Sequence, residues 1–394
     1  MSEWIEHRLG EVCSRLSSGS NITAKDIHES GSFPVFGGNG IRGYAAEANF
    51  SGECAIIGRQ GAYCGNVRYF IGEARMSEHA IVACAGPSHN TRFLAYLLSN
   101  MNLGSLSGQA AQPGLSVKVL AQQSVRMPSR QTQERIAEIL GAYDDLIEVN
   151  RRRIAVLEEM ARGLFEEWFV RFRFPGHEAV PILDTQDGPL PEGWTWGVAA
   201  DLIAFDPRTP VPRDGLKPFI SMGHLDTATS LIAPPEERNG NSGAKFRNGD
   251  TLFARITPCL ENGKTGLVRG LPGQDGIGFG STEFIVMRGE AAGPAFTYCL
   301  ARQSSFRDNA RNSMSGATGR QRARTESLAA FAMPVPALDL LRQFDAMVWP
   351  MLELVGSLGV ANATLATSRD LLLPRLISGQ VSITEAAREL EEAA

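Results

Sequence analysis

The sequence predicts an α+β protein built from one module used twice, in which a glycine-rich α/β domain precedes a long helix. Three observations predict this fold class. Short apolar runs between glycine and proline turns fill two stretches of the chain, a long segment with heptad spacing follows each stretch, and weak matches relate the two halves in the same order. Matches that keep their order along a chain indicate an internal repeat.

Composition limits the class of protein. The 394 residues predict two or three domains, and 43% hydrophobic with 21% charged residues is ordinary for a soluble globular chain. No run of 18 or more apolar residues and no signal peptide is apparent, so we expect a cytoplasmic protein without membrane contact. Six scattered cysteines without a CxxC pair favour reduced, buried thiols over a metal site. The net charge of -5 argues against general nucleic-acid coating but permits a local basic face.

The repeat is visible as matched segments. Residues 33–36 (FPVF) match 217–220 (KPFI), and 77–82 (SEHAIV) match 281–286 (STEFIV). Each domain ends on a Met-Pro pair, at Met127 and at Met333. We place the α/β domains at 1–128 and 178–336, where CAIIGR, VRYFI, HAIVAC, TLFARI and EFIVM are typical of short strands. Helical patches are expected at 91–100 and 295–306 of these domains.

The first helical region, 129–177, predicts a helix from Gln131 to about Phe172. Its apolar residues repeat every seven positions in two rows, which is the pattern of a coiled-coil seam. We assign to this seam Ile136, Leu140, Tyr143, Ile147, Asn150, Ile154, Leu157 and Leu164. Asn150 has two open interpretations: it is a tolerated polar residue, or it pairs across the interface and sets the register.

The second helical region, 337–380, repeats the pattern and precedes an acidic tail at 381–394. Its seam residues are Phe344, Met351, Leu358, Leu365 and Leu372, with Met347, Leu354 and Ala361 as a second row. Pro350 is expected to kink or restart this helix. Two seams in one chain most simply pack on each other as an antiparallel coiled coil, with the domains at opposite ends about a pseudo-twofold axis. Pairing with another chain is the alternative.

Several polar and basic residues lie in loops or at strand ends. Arg59 and Gln60 follow an apolar strand and Arg255 ends the matching one; arginine and glutamine suit the edges of guanine and adenine, although an ion-pair role is equally open. The segment 311–324 is basic and glycine-containing, typical of a loop that contacts phosphates, with a solvated loop as the alternative. The DNA-binding candidates are Asn39, Arg42, Arg59, Gln60, Gln109, Gln112, Lys118, Arg255, Lys264, Arg311, Arg320, Arg322 and Arg324.

Catalytic and cofactor motifs are missing from the sequence. There is no P-loop, HExxH, GxSxG or Asn-Pro-Pro-aromatic motif, and we expect no catalytic residue, metal or cofactor in this chain. Gly38, Gly40 and Gly43 satisfy GxGxxG, but the segment YAAEANFSGE that follows is too short and turn-like for a dinucleotide-binding unit.

The chain resembles the specificity subunit of a type I restriction–modification system over almost its full length. The residues that carry the resemblance are PVFGGNGIRGY with CAIIGRQGAYCGNV, the helix end LEEMARGLFEEWFVRFRFPG, LPEGWTW with GDTLFARITPCLENGKTG and GFGSTEFIVM, and the terminal RDLLLPRLISGQVSI. Pro350, Gly356 and Gly359 depart from the pattern by weakening the early second helix, which puts its partner contacts in doubt.

The resemblance implies two target recognition domains, each reading one half of a split double-stranded DNA sequence, and two helical regions that set the gap. It also implies assembly with two copies of a modification subunit, an adenine-N6 methyltransferase using S-adenosylmethionine, and through them with a motor-nuclease subunit. The specificity subunit itself is non-catalytic, whereas the complex would methylate and cleave DNA. Two alternatives remain at this point: a stand-alone nuclease with an unrecognised site, and a coiled-coil scaffold that does not bind DNA.

Overall fold

The computed structural model describes residues 4–107, 114–316, 321–381 and 388. The chain divides into two compact units, and both are mixed α/β. Unit 1 comprises Met1–Ile147 with Ala363–Ala394, and unit 2 comprises Glu148–Asn362. Each unit therefore contains one α/β domain together with part of both long helices.

The α/β domain of unit 1 is a six-stranded sheet with the strand order β2-β7-β5-β6-β3-β4, beside a separate pair β1-β8. Its elements are β1 (Ile5–Arg8), α1 (Leu9–Val12), β2 (Cys13–Ser18), β3 (Phe33–Gly37), β4 (Gly40–Ala45), β5 (Phe50–Gly58), β6 (Val67–Met76), β7 (Ala80–Ala85), α2 (Thr91–Ser99), α3 (Val117–Ala121) and β8 (Ser124–Met127). The long helix α4 (Arg130–Phe165) follows, and a π-helical turn at Glu166–Val170 ends it seven residues before the predicted Phe172.

The α/β domain of unit 2 contains two four-stranded sheets, β12-β19-β16-β17 and β14-β13-β18-β15, with the pairs β10-β9 and β11-β20. Its elements are β9 (Ile182–Thr185), β10 (Gly188–Pro191), β11 (Thr195–Val198), β12 (Ile203–Phe205), β13 (Leu216–Ile220), β14 (Glu236–Asn239), β15 (Ala244–Arg247), β16 (Thr251–Ala254), β17 (Thr265–Leu267), β18 (Ile277–Gly280), β19 (Phe284–Gly289), α5 (Pro294–Arg302), α6 (Ser304–Asn312), α7 (Thr325–Ala329) and β20 (Ala332–Val335). The second long helix α8 (Leu338–Ile377) follows.

The two domains share one topology. Strand β5 lies between β7 and β6, as β16 lies between β19 and β17, with antiparallel pairing throughout. A parallel pair aligns Phe36 with Met76 in unit 1, and its counterpart aligns Ile220 with Gly280 in unit 2. The long strand β6 corresponds to two shorter strands, β17 and β18, so one sheet becomes two. The internal repeat predicted from the sequence is therefore present in the fold.

The two long helices pack antiparallel. In unit 1, Ile136 to Ile147 of α4 share a core with Leu365, Leu372 and Leu376 near the end of α8. In unit 2, residues 161–165 of α4 share a core with Leu341 and Phe344 near the start of α8. The seam residues assigned to α4 are buried, except for Leu157 and Leu164, which are partly buried. On α8, Met351 and Leu358 are also partly buried.

Asn150 lies on this seam with 4% of its surface exposed. Its Nδ2 donates to Oδ1 of Asn362 on α8 over 3.0 Å. The structure thus contains the cross-helix pair that one of the two interpretations of Asn150 requires.

The second seam row on α8 differs from the sequence-based assignment by one residue. Val348 and Val355 are fully buried, whereas Met347 and Leu354 are 44% and 48% exposed. In a heptad repeat, successive buried residues are three or four positions apart. After Phe344 the next buried residue is four positions later, at Val348, and not three positions later, at Met347. The exposed row consequently remains as an apolar stripe on the surface.

Pro350 neither breaks nor restarts α8, which is continuous from Leu338 to Ile377. The glycines that were expected to weaken the helix instead permit close packing. A Cβ at Gly359 would lie 2.6 Å from Leu231 Cδ2, and one at Gly356 would lie 3.2 Å from Arg269 Nε. The domain of unit 2 therefore lies directly against this side of α8.

Polar contacts, buried in unit 2 and partly buried in unit 1, hold each domain against the long helices. On the equivalent helices α2 and α5, Tyr96 donates to Asp144 and Tyr298 donates to Glu158, both on α4. Glu158 is 1% exposed and also accepts the backbone N–H of Ser230. Because an unpaired buried carboxylate is costly, these contacts fix how each domain sits on its helices.

By length and composition, α8 could span a membrane, which differs from the sequence-based expectation. The two criteria differ because an average of hydropathy over a window can be high although glycine, serine and asparagine residues interrupt the apolar run. One such helix is weak support for a membrane span, because α8 also carries buried residues of both unit cores.

Replacing Phe344 with alanine should destabilise unit 2 strongly. Phe344 is fully buried and its ring contacts those of Phe165, Trp168 and Phe169, with centroids 5.0–6.0 Å apart. Loss of such a side chain costs about 3–5 kcal/mol of unfolding free energy, measurable by urea denaturation. Met347→Ala, on the exposed side of the same helix, is the control and should change stability by about 0.5 kcal/mol or less. Equal losses would contradict the assignment of the buried row.

The Asn150–Asn362 pair predicts a coupling free energy. Asn150→Ala, Asn362→Ala and the double variant should give a coupling of about 0.5–1.5 kcal/mol in urea unfolding, the net contribution of one hydrogen bond. A coupling of zero would support the interpretation of Asn150 as a merely tolerated polar residue.

Candidate nucleic-acid interface

In unit 1, the predicted arginine follows the end of β5 and lies against Leu115, just before α3. The N–H of Arg59 donates to the carbonyl of His79 over 3.0 Å, and the N–H of Leu115 donates to the carbonyl of Arg59 over 2.8 Å. Arg59 Nη1 donates to the Glu78 carbonyl, and Gln60 Oε1 lies 3.1 Å from His79 Nδ1. The strand end and residues 114–115 therefore form one surface.

The glycine-rich segment 38–43 forms the hairpin between β3 and β4 and belongs to the same surface. A Cβ at Gly58 would lie 2.5 Å from the Gly38 carbonyl oxygen, so the hairpin packs directly on the strand end. The Arg68 guanidinium lies beside Gly40, where a Cβ would be 3.3 Å from Cζ. Asn39 at the hairpin turn is exposed. This segment comprises the turn after β3 and the start of β4, and it does not lead into a helix.

Unit 2 repeats the arrangement with different side chains. The N–H of Arg255 donates to the carbonyl of Glu283 over 3.0 Å, and the N–H of Ala323 donates to the carbonyl of Arg255 over 2.8 Å. The equivalent positions are therefore Arg59 and Arg255, His79 and Glu283, and Leu115 and Ala323. The backbone geometry is duplicated, whereas His79 is replaced by an acid.

Arg322 forms a bidentate ion pair with Glu283 on the unit 2 surface. Its Nε donates to Glu283 Oε2 over 2.8 Å and its Nη2 donates to Oε1 over 2.6 Å. These hydrogen bonds lower the pKa of the Glu283 carboxyl, and they raise the pKa of the guanidinium. Both groups therefore remain charged at neutral pH.

Basic residues line an open cleft of about 610 Å³ beside this pair. Arg208, Lys245 and Arg255 all contribute to the lining, together with the chain around Thr282. The Nε of Arg255 is buried and has no hydrogen-bond partner among the described residues. Sequence reasoning missed Arg68, Arg208 and Lys245, because single basic residues on short strands carry no pattern that separates them from a solvated surface.

The remaining candidates divide into three groups. Exposed near the surfaces above are Arg42 on β4, Lys118 at the start of α3 and Arg324 just before α7. The structure ties the others to protein groups: Lys264 Nζ donates to the Met222 carbonyl over 2.8 Å, and Arg311 pairs with Asp308 one turn earlier in α6. Gln109, Gln112 and Arg320 lie outside the described residues.

An apolar stripe lies on the surface of the helix pair within unit 2. Val149, Val156 and Met160 of α4 are 42–54% exposed and repeat at seven and four residues, which places them on one helix face. Leu354 of α8 lines a shallow groove together with Val149 and Val156, and Arg152 also contributes to its lining. An exposed apolar cluster beside polar residues is a candidate contact surface for another protein.

Within the described residues, no group of three His, Cys, Asp or Glu side chains could hold a metal ion. All six cysteines are free. Burial raises the pKa of Cys13 and of Cys54 to about 12, and the neighbouring Cys84 adds to both shifts. These thiols are therefore protonated and poorly nucleophilic at neutral pH.

A family model described as type I restriction modification DNA specificity domain matches residues 1–159. The EcoprrI type I restriction enzyme specificity subunit of Escherichia coli is 42% identical over 142 residues, which are 35% of this chain and 35% of that subunit. The match thus spans about a third of that relative. The MjaIX specificity subunit of Methanocaldococcus jannaschii is 22% identical over 312 residues, covering 75% of this chain and 70% of that subunit.

The fold is similar to a solved structure along nearly the whole chain. The crystal structure of the type I restriction–modification S subunit from M. genitalium superposes with a TM-score of 0.63 at 14% identity, covering 95% of this chain and 96% of that one. At this identity the likeness shows similarity of fold alone.

Proposed function

We propose, since this chain belongs to the DNA specificity subunits of type I restriction–modification systems, that it binds one asymmetric, bipartite double-stranded DNA sequence and directs partner enzymes to it. The family is non-catalytic, and chemistry belongs to the other subunits of the complex. The α/β domain of each unit reads one half of the target, and the length of α4 and α8 sets the gap between the halves.

The observation that carries this proposal is the duplicated strand-end surface with unlike side chains. Arg59 and Arg255 occupy equivalent backbone positions, yet their neighbours are His79 in one unit and Glu283 in the other. Equivalent backbones dock alike on a duplex, whereas unlike side chains contact different bases. Two identical domains would read a palindrome, so these two read unlike half-sites.

Docking in the major groove suits the residues at each surface. Asn39, Arg59 and Gln60 offer donors and acceptors for base edges, and Arg68 and Lys118 offer charge for phosphates in unit 1. In unit 2, the cleft with Arg208, Lys245 and Arg255 and the exposed Arg324 supply the equivalent positive charge. A local basic face explains how a chain with a net charge of -5 binds DNA.

The partners in this proposal are two copies of a modification subunit, an adenine-N6 methyltransferase that brings its own S-adenosylmethionine, and a motor-nuclease subunit that joins through the complex. The apolar stripe of Val149, Val156, Met160 and Leu354 is the contact surface for a modification subunit. Its support is physical: these side chains repeat on one helix face and remain exposed in the isolated chain.

Sequencing tests the function directly. Expression of this chain with its modification subunit in a host lacking other methyltransferases should place N6-methyladenine in one split, asymmetric motif, read from native DNA. Exchange of residues 178–336 for the equivalent domain of another family member should change one half of that motif and leave the other half intact.

Methylation of an unsplit motif, or a change in both halves after the exchange, would contradict the proposal that each α/β domain reads one half of the target. DNA cleavage by the purified chain with a metal ion alone would instead favour the stand-alone nuclease. A complex that binds all duplexes equally would favour the scaffold.

A charge on the apolar stripe should block assembly. Val156→Asp buries a carboxylate in the proposed interface and should weaken the association with the modification subunit at least tenfold, since burying an unpaired charge costs more than about 1.4 kcal/mol. Sedimentation velocity of the mixed subunits measures this loss. Ala155→Asp, one residue away on a different face of α4, is the control and should assemble normally. Equal assembly by both variants would exclude the stripe as the interface.

A further inference from the structure

The ion pair between Arg322 and Glu283 has a feature that a simple phosphate contact does not need. A carboxylate placed next to an arginine on a DNA-facing surface repels phosphates and reduces the attraction that the arginine supplies. An exposed ion pair adds little stability in compensation, because solvent screens it. The side chain of Arg322 is 48% exposed, so the pair is not explained by the requirements of the fold.

The backbone around Arg322 is held as firmly as its side chain. The N–H of Arg322 donates to the Ser315 carbonyl over 3.0 Å, and the Ser315 N–H donates back over 3.1 Å. On the other side, the N–H of Thr257 donates to the Gln321 carbonyl over 3.1 Å. Arg322 therefore projects from a fixed point beside the strand end, and the basic segment is anchored at this point.

The geometry of the pair leaves one edge of the guanidinium available. Nε and one N–H of Nη2, which together form one edge of the Arg322 guanidinium, donate to Glu283. Nη1 and the second N–H of Nη2 form the opposite fork, and no bond among the described residues uses Nη1. Two parallel N–H groups in this arrangement match the O6 and N7 acceptors of guanine in the major groove.

We infer that Arg322 reads a guanine in the half-site bound by unit 2, and that Glu283 is the positioning residue that aims its guanidinium. This inference rests on the proposed function and deepens it, because it assigns one base to one side chain. Glu283 acts by removing the rotational freedom of Arg322 before binding, which favours a base contact of fixed geometry over adaptable phosphate contacts.

Among the residues of unit 1 that the structure describes, the equivalent positions do not form such an ion pair. The bridge that joins Ile256 to Arg322 in unit 2 joins Gln60 to Gly114 in unit 1, so a glycine stands in place of the arginine. The partner position holds His79 instead of Glu283. The guanine contact therefore belongs to one half-site only.

The test uses the complete complex with the modification subunit and duplexes that carry the sequenced motif or single base-pair substitutions of it. Arg322→Ala should reduce discrimination at one G·C pair of the unit 2 half-site about ten- to hundredfold, the range for one bidentate contact. Arg322→Lys should lose the same discrimination because lysine lacks the fork, while its affinity for substituted duplexes is retained. Glu283→Gln should reduce discrimination at the same pair about three- to tenfold. Recognition of the other half-site should be unchanged.

Arg238→Ala is the matched control. Arg238 is 50% exposed and pairs through Nε and Nη2 with Glu236 in the same unit, and its loss should leave discrimination at every position unchanged. A uniform loss of affinity by Arg322→Ala, with the slope of log affinity against log salt reduced by about 1, would overturn the inference and assign Arg322 to a phosphate. An unchanged profile for Glu283→Gln would also overturn it. If the wild-type complex still selects a split motif in these cases, only the guanine inference fails and the proposed function stands. If the wild-type complex shows no sequence selectivity, the guanine inference and the proposed function both fail.

Discussion

The packing of α4 against α8 is the constraint on which the rest of the structure depends. Neither unit has a complete core without both helices: unit 1 buries Leu372 and Leu376 from the last turns of α8, and unit 2 buries Phe165 from the end of α4. Each unit is therefore assembled from segments far apart in sequence. Within each unit, a shift of one helix along the other would move residues out of that unit's core.

Polar contacts between each domain and α4 fix the position of that domain on the helix. Tyr96 and Tyr298 occupy equivalent places on α2 and α5, and both donate to carboxylates on α4. Buried groups of this kind stabilise one arrangement because every displaced alternative leaves a polar group unpaired. The same fold thus presents the strand-end surfaces of both units in a defined orientation on their helices. The two domains can then share one backbone arrangement while their side chains differ at the strand-end surfaces.

Much of this architecture was accessible from the sequence because it depends on local periodicity. Heptad spacing predicted α4 and α8 to within a few residues at most of their ends, and apolar runs predicted β5, β7, β16 and β19. The errors have a common cause. Whether Met347 or Val348 faces inward depends on the partner helix, and whether Pro350 ends a helix depends on the packing around it. The strand-end arginines were identified by position, but Arg68 and Lys245 carry no local signal.

The sequence by itself determined the duplication, the two long helices and the resemblance to a family, since these depend on the order and spacing of residues and on motifs. Only the tertiary structure decided which side chains act together. Glu283 and Arg322 lie 39 residues apart, and Asn150 and Asn362 lie 212 apart, so their pairing is set by sheet order and helix packing. Gly356 and Gly359 weaken a helix when considered alone, yet in the fold they admit Arg269 and Leu231. The physical reason is that helix and strand propensities act over a few residues, whereas a recognition surface combines groups from distant segments.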